Sequence, residues 1–174
     1  MRISVRKTAF AAVIAAVYAA LTLSTASIAY GPVQFRIAEA LCVLPFFFPF
    51  SVWGLFVGCV LSNIISAYGL LDVVVGSLAT LFAARCTMML GRRGKRSVRR
   101  YALACLPPVL FNAVMVGAVI ALYGASDGAF VPMFLVNAAQ VAFGEAAVMY
   151  VIGLPLMIYL PRTRLFGELQ IGER

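Results

Sequence analysis

Hydrophobic and polar positions in this chain are blocked rather than alternating. Six apolar runs, at about 8–28, 35–50, 52–67, 70–90, 101–123 and 130–160, are separated by short polar or Gly/Pro-bearing stretches. About 20 apolar residues of helix cross a bilayer's hydrocarbon core. A barrel strand would instead show about ten residues of alternating character. The pattern therefore predicts an all-α integral membrane protein, a bundle of six transmembrane helices, with residues 1–174 as a single transmembrane domain. The second run is short and holds Pro45 and Pro49, so it should be bent or tilted. The last run is too long for one straight span, and Gly153 and Pro155 predict an adjustment near its end.

Composition agrees. The chain is 64% hydrophobic and 11% charged, against roughly 45–50% and about 25% in a soluble domain. One soluble core cannot hide that much apolar surface.

Charge orients the spans. All but Arg36 and Arg85 of the fourteen Lys/Arg fall in three places: Arg2, Arg6 and Lys7; Arg92 to Arg100; and Arg162, Arg164 and Arg174. An even number of spans puts these three places on one side. The positive-inside rule makes that side the cytoplasm, so both termini are expected there, in a cell membrane. No signature of nucleic-acid binding accompanies the basic runs. The basic start, the apolar run and Ser27-Ile28-Ala29 also resemble a secretory signal. The run's length and the polar motif that follows at once favour a retained span.

Catalytic chemistry is hard to assemble. There is no histidine, and Cys42, Cys59, Cys86 and Cys105 lie singly in apolar runs. A metal site or redox pair is not expected, and the cysteines read as small buried hydrophobes. Gly91 to Ser97 is not a phosphate loop, because Met89 and Arg96 stand where Gly and Ser/Thr are required. With no clustered carboxylates and no Ser–His arrangement, no enzyme and no cofactor are expected.

The polar groups within the apolar runs are few, and ionisable residues in lipid point to a site. They concentrate at the outer ends of the spans. Tyr30, Gln34, Phe35, Arg36 and Glu39 come first, then Asn63, Tyr68 and Asp72, then Asn137 and Gln140, with Glu145 deeper. Each also has a structural reading. Arg36 and Glu39, three apart, can pair. Asp72 can cap or favour a helix start. Asn137 and Gln140 can bond another helix, and Glu145 can stabilise a kink. Small residues form two rows on the first span, Ala11, Ala15, Ala19 and Ala12, Ala16, Ala20, while Gly54 and Gly58 form a G-x-x-x-G face on the third. Such rows let helices approach closely.

The run Tyr30-Gly31-Pro32-Val33-Gln34-Phe35-Arg36-Ile37-Ala38-Glu39-Ala40-Leu41 carries a resemblance. With it go Val43-Leu44-Pro45, Trp53 to Cys59, Asp72 to Thr80, and Gly144-Glu145. Together they closely resemble the QueT family, queuosine-precursor transporters of the energy-coupling factor class. The resemblance implies the substrate-binding (S) component of such an importer, with six helices and both termini cytoplasmic, in a bacterial membrane. It implies capture of a 7-deazaguanine, 7-aminomethyl-7-deazaguanine or a close relative, at the outer face. It implies docking on a transmembrane coupling subunit served by two cytoplasmic ATPases, with the alanine rows of the first span as the docking surface.

Under that reading Glu39 or Glu145 reads the guanine edge and Asp72 takes the amine. Gln34, Asn63, Asn137 and Gln140 supply further polar contacts. Tyr30, Phe35 or Tyr68 stacks on the ring, and Arg36 positions Glu39. The alternatives are an S component for another vitamin-like or nucleobase solute, and a membrane scaffold that transports nothing.

Overall fold

The computed structural model describes residues 5–31, 33–66, 68–92, 96–124, 130–163 and 166. Arg2, Pro32, Arg93, Lys95, Asp127 with its loop, Arg164 and Arg174 lie outside the described residues. Every regular element among the described residues is helical. The α-helices are α1 (Val5–Ser24), α2 (Ala26–Ala29), α3 (Ser51–Asn63), α4 (Gly69–Arg92), α5 (Val98–Ala104), α6 (Leu106–Gly124), α7 (Phe130–Val148) and α8 (Leu154–Tyr159). A 3-10 helix, Ile37–Phe46, lies between α2 and α3.

Four stretches are long and apolar enough to cross a membrane: Val5–Ser24, Gly69–Arg92, Val98–Gly124 and Phe130–Arg162. Ile37–Phe46 and Ser51–Asn63 are apolar but shorter. The six apolar runs thus become four full-length spans and two short helices. At about 2.0 Å per residue in a 3-10 helix and 1.5 Å in an α-helix, the two short helices each reach roughly 20 Å. Neither equals the roughly 30 Å hydrocarbon core by itself.

The helices pack in the order α1, α3, α4, α6, α7, and the 3-10 helix is set against α1, α3, α4, α7 and α8. It is the hub of the fold, with Ala38, Glu39, Ala40 and every residue from Cys42 to Phe46 buried. The second run, expected to be bent or tilted, is wound as this tighter 3-10 helix. Phe47 N and Phe48 N close it on Leu44 O at 2.9 and 2.8 Å. Pro45 and Pro49 supply no N–H with which to continue it.

The expected adjustment in the last run is a π-turn, Met149–Gly153, between α7 and α8. Pro155 follows it at the start of α8, and the wider turn accommodates a residue that cannot donate to its preceding turn. Pro107 and Pro108 sit in the first turn of α6, where a missing N–H does least harm.

The phenylalanines after Pro45 form a core. Phe46, Phe47 and Phe48 are buried with Tyr101 and Phe166. Their rings meet edge-on, as in Phe46–Tyr101 at 5.4 Å and Phe47–Phe166 at 5.5 Å. Arg96 lies over Phe166 at 5.1 Å, which ties the basic segment to this end of the molecule.

The G-x-x-x-G face works inside the chain. Gly54 packs on the Ala11 carbonyl, and a Cβ at Gly58 would lie 2.8 Å from Ala15 O and from Tyr18 Cβ. Gly58→Val is expected to lower the thermal unfolding midpoint of the detergent-purified chain, at a cost of about 1–3 kcal/mol typical of overpacking. An unchanged midpoint would show that α1 and α3 can part freely.

Candidate functional site

Glu39 lies in the first turn of the 3-10 helix and is fully buried. Side chains three apart eclipse in such a helix, which places Cys42 beside it. Cys42 Sγ donates to Glu39 Oε2 at 3.0 Å. Tyr18 Oη from α1 donates to Glu39 Oε1, and Thr80 Oγ1 from α4 donates to the same oxygen at 3.0 Å. One carboxylate thus joins three elements.

The Arg36–Glu39 pair that their spacing allows does not form. Arg36 precedes the helix with extended backbone, φ −87° and ψ 91°, and its side chain turns to other partners. Its guanidinium is 2% exposed, reaches Cys59 Sγ through Nη1 at 3.8 Å and lies 5.5 Å from the Tyr30 ring centre. Its Nε and Nη2 are buried without a partner. Glu39 and Asp72 are both electrostatic neighbours of this cation.

Asp72 sits in the first turn of α4, where the helix dipole favours an acid, but it is not the cap. Ser66 Oγ donates to its Oδ2 at 2.5 Å, and Oδ1 has no partner. Asn63 Nδ2 donates to Asp72 O at 3.1 Å and to Cys59 Sγ at 3.4 Å. These bonds fix the amide and leave Asn63 Oδ1 free. Gly76 lets both side chains pack closely on the α4 backbone: a Cβ there would lie 2.8 Å from both Asn63 Nδ2 and Asp72 Oδ1. The buried Ser77 hydroxyl beside it is also unpartnered.

Glu145 enters from α7. Asn112 Nδ2 of α6 donates to its Oε1 at 3.0 Å, while Glu145 Oε2 and Asn112 Oδ1 are buried and unpartnered. Glu39 and Arg36 are its charged neighbours. Gln34 completes the group. It is the one non-glycine residue with positive φ, +49°, among the described residues, and its buried Nε2 has no partner. A left-handed non-glycine costs about 1–2 kcal/mol, and such strain gathers at functional sites. Gly144 permits the close approach behind it, since a Cβ there would overlap the Val33 carbonyl.

The structure therefore brings Gln34, Arg36, Glu39, Asn63, Asp72 and Glu145 into one buried cluster, with Tyr30 against Arg36. Tyr30 Oη is further fixed by donating to Ser62 O at 2.5 Å. The remaining residues singled out in the sequence lie outside this network. Tyr68 packs edge-on against Tyr123 at 5.5 Å, and its phenol pKa is pushed up, first by burial and then by the Asp72 carboxylate. Phe35 meets Phe143 at 6.3 Å. Asn137 and Gln140 are half-buried on α7, two turns and one turn from Gly144 on the same stripe, with no side-chain hydrogen bond among the described residues.

Sequence reading missed Tyr18, Cys42, Cys59, Ser66, Ser77, Thr80 and Asn112. Cys59 departs furthest from expectation. Read as a small hydrophobe from the sequence, it accepts from Arg36 and Asn63 through its sulfur, which also lies 3.3 Å from Thr80 Oγ1, the hydroxyl whose one proton goes to Glu39. Among the described residues no group of three or more His, Cys, Asp or Glu is arranged to hold a metal ion.

The alanine rows divide. Ala15 is 6% exposed and packs against α3. Ala11 and Ala19 are half-buried, while Ala12, Ala16 and Ala20 are exposed.

Three buried acids, Glu39, Asp72 and Glu145, share the cluster with one arginine, Arg36. The unpartnered atoms sort by chemistry. Asp72 Oδ1, Glu145 Oε2, Asn63 Oδ1 and Asn112 Oδ1 accept, whereas Arg36 Nε and Nη2 and Gln34 Nε2 donate. Buried polar groups ordinarily find partners. This set matches a compact ligand that is rich in donors, bears a positive charge and carries at least one acceptor.

A family model described as QueT transporter matches residues 8–162. The queuosine precursor transporter QueT of Lactococcus lactis subsp. cremoris (strain MG1363) is 40% identical over 72 residues. That stretch covers 40% of this chain and 42% of the relative, so the match spans less than half of that protein's length. No solved structure matches.

Proposed function

Because the chain belongs to the QueT transporter family, we propose that it is the substrate-binding component of an energy-coupling factor importer, with a queuosine precursor as cargo. It belongs to a family of transporters and is not an enzyme. In this reading the ligand is 7-aminomethyl-7-deazaguanine or a close 7-deazaguanine, taken from the outer side. Residues 1–174 act as one transmembrane domain that crosses the membrane six times, the two short helices completing the four long ones. Both termini lie in the cytoplasm of a bacterial cell. A transmembrane coupling subunit and two cytoplasmic ATPases are the partners, and the exposed row Ala12, Ala16 and Ala20 is the part of α1 available for docking.

The surplus of buried carboxyl groups over cations in the cluster, with open oxygens on Asp72 and Glu145, carries this reading. Uncompensated buried carboxylates are costly. An aminomethyl cation offsets one of them, and the N1–H and 2-amino edge of the guanine ring satisfies another. Arg36 and Gln34 present N–H groups to the ring carbonyl. Tyr30, held over Arg36, flanks the cluster with an aromatic face, and Asn137, Gln140 and Tyr68 line the approach.

Titration of the purified full chain with 7-aminomethyl-7-deazaguanine is expected to give saturable one-to-one binding that guanine, thiamin and riboflavin do not displace. Asp72→Asn is expected to weaken it at least tenfold, since a hydrogen bond to a charged group contributes about 1.5–3 kcal/mol and 1.4 kcal/mol is tenfold. Absence of saturable binding, or equal binding of a vitamin, overturns the reading.

A further inference from the structure

We propose that the three buried carboxylates divide the work: Glu39 is a positioning residue closed to the ligand, and Asp72 and Glu145 present the open oxygens that meet it. The proposal rests on the preceding reading only in that the cluster takes a ligand.

The argument is one of acceptor capacity. A carboxylate offers about four acceptor positions, two on each oxygen. In Glu39 both positions of Oε1 are taken, by Tyr18 and Thr80, and Cys42 takes one on Oε2. A ligand edge with two parallel N–H groups needs an open position on each oxygen, and Glu39 cannot supply it. Glu145 can, because Asn112 occupies one position on Oε1 and none is occupied on Oε2. Asp72 can as well, with Ser66 on Oδ2 and Oδ1 unoccupied.

The donors that close Glu39 lead to the ligand-facing groups. Thr80 Oγ1 lies within reach of both Glu39 Oε1 and Cys59 Sγ, and Cys59 in turn holds Arg36 Nη1 and Asn63 Nδ2. Arg36 and Asn63 are the residues whose other polar atoms are free. The network from Tyr18 through Glu39, Thr80 and Cys59 is thus a floor that aims a donor and an acceptor into the site. It takes its members from α1, the 3-10 helix, α4 and α3.

The test compares Glu39→Gln, Glu39→Met, Asp72→Asn and Glu145→Gln in the purified full chain. Two quantities are read: the unfolding midpoint without ligand, and the affinity for 7-aminomethyl-7-deazaguanine. Glu39→Gln keeps an acceptor for Tyr18 and Thr80, so it should hold affinity within about threefold and leave the midpoint in place. Glu39→Met strands both hydroxyls and should lower the midpoint by several degrees, as should Thr80→Val. Asp72→Asn and Glu145→Gln should behave oppositely, losing at least tenfold in affinity while the unliganded midpoint stays or rises. A residue that keeps an unpaired buried charge for function gives up stability to do so. The proposal is overturned if Glu39→Gln loses as much affinity as Asp72→Asn, or if Glu39→Met raises the midpoint as the two open acids do. The midpoints need no ligand, so they decide the proposal even where the assigned ligand fails to bind.

Discussion

Gly144→Ala is expected to lose ligand binding by a hundredfold or more while the helices stay folded. The α7 backbone at Gly144 touches the chain at Val33 and Gln34 so closely that a methyl group there would overlap the Val33 carbonyl. Backbone on backbone cannot yield as a flexible side chain would, so the loop must lift. Gln34 already holds a left-handed conformation, and its carbonyl accepts Arg36 N at 3.0 Å. A lifted loop therefore carries Gln34 and Arg36 away together, and both present unpartnered donors to the cluster. Two hydrogen bonds, one of them to a charged group, together amount to roughly 3 kcal/mol. Titration set beside circular dichroism checks the result: affinity within threefold of the parent would show that the loop does not position the donors.

Arg36→Gln is expected to have the largest effect on stability. Arg36 is a cationic neighbour of Glu39, Asp72 and Glu145 alike, and at 2% exposure water does not screen it. Removing one member of a buried ionic group typically costs 3–5 kcal/mol, because the remaining charges stay buried without compensation. The variant should melt well below the parent, or fail to survive extraction. Adding Glu39→Gln removes one of the stranded charges, so the double variant should lose less than the sum of the singles. Strict additivity in that cycle would mean that Arg36 does not serve the carboxylates.

Much of this fold can be read from hydropathy, because burying apolar surface in lipid depends on run length rather than on side-chain detail. The four long spans and the two short apolar helices fall within a few residues of the runs. Pro155 marks the π-turn for the same reason, since a missing N–H is a local property. The winding of Ile37–Phe46 is different. A three-residue and a 3.6-residue repeat diverge slowly over ten positions, and nearly all of these are apolar and buried, so no polar stripe betrays the period.

The site divides along similar lines. Gln34, Arg36, Glu39, Asp72 and Glu145 stand out because charge and amide groups are rare in apolar runs. Tyr18, Thr80, Cys42 and Cys59 do not stand out, because hydroxyls and thiols are tolerated on any face of a buried helix. Only the rotation of each helix about its axis decides that these four face inward. The Arg36–Glu39 pairing is absent because each side chain is engaged elsewhere, Arg36 with Cys59 and Tyr30 and Glu39 with Tyr18, Thr80 and Cys42.

The 3-10 helix has one more consequence, and it is mechanical. One end carries Glu39, held by Tyr18 and Thr80; the other is clamped where Gly91 of α4 meets the Phe46 carbonyl. Each residue that rewound from 3-10 to α would draw those ends together by about 0.5 Å, the difference between the two rises. The segment is a strut whose length depends on its pitch, so the spacing between the carboxylate network and the aromatic core is fixed by winding as much as by residue count.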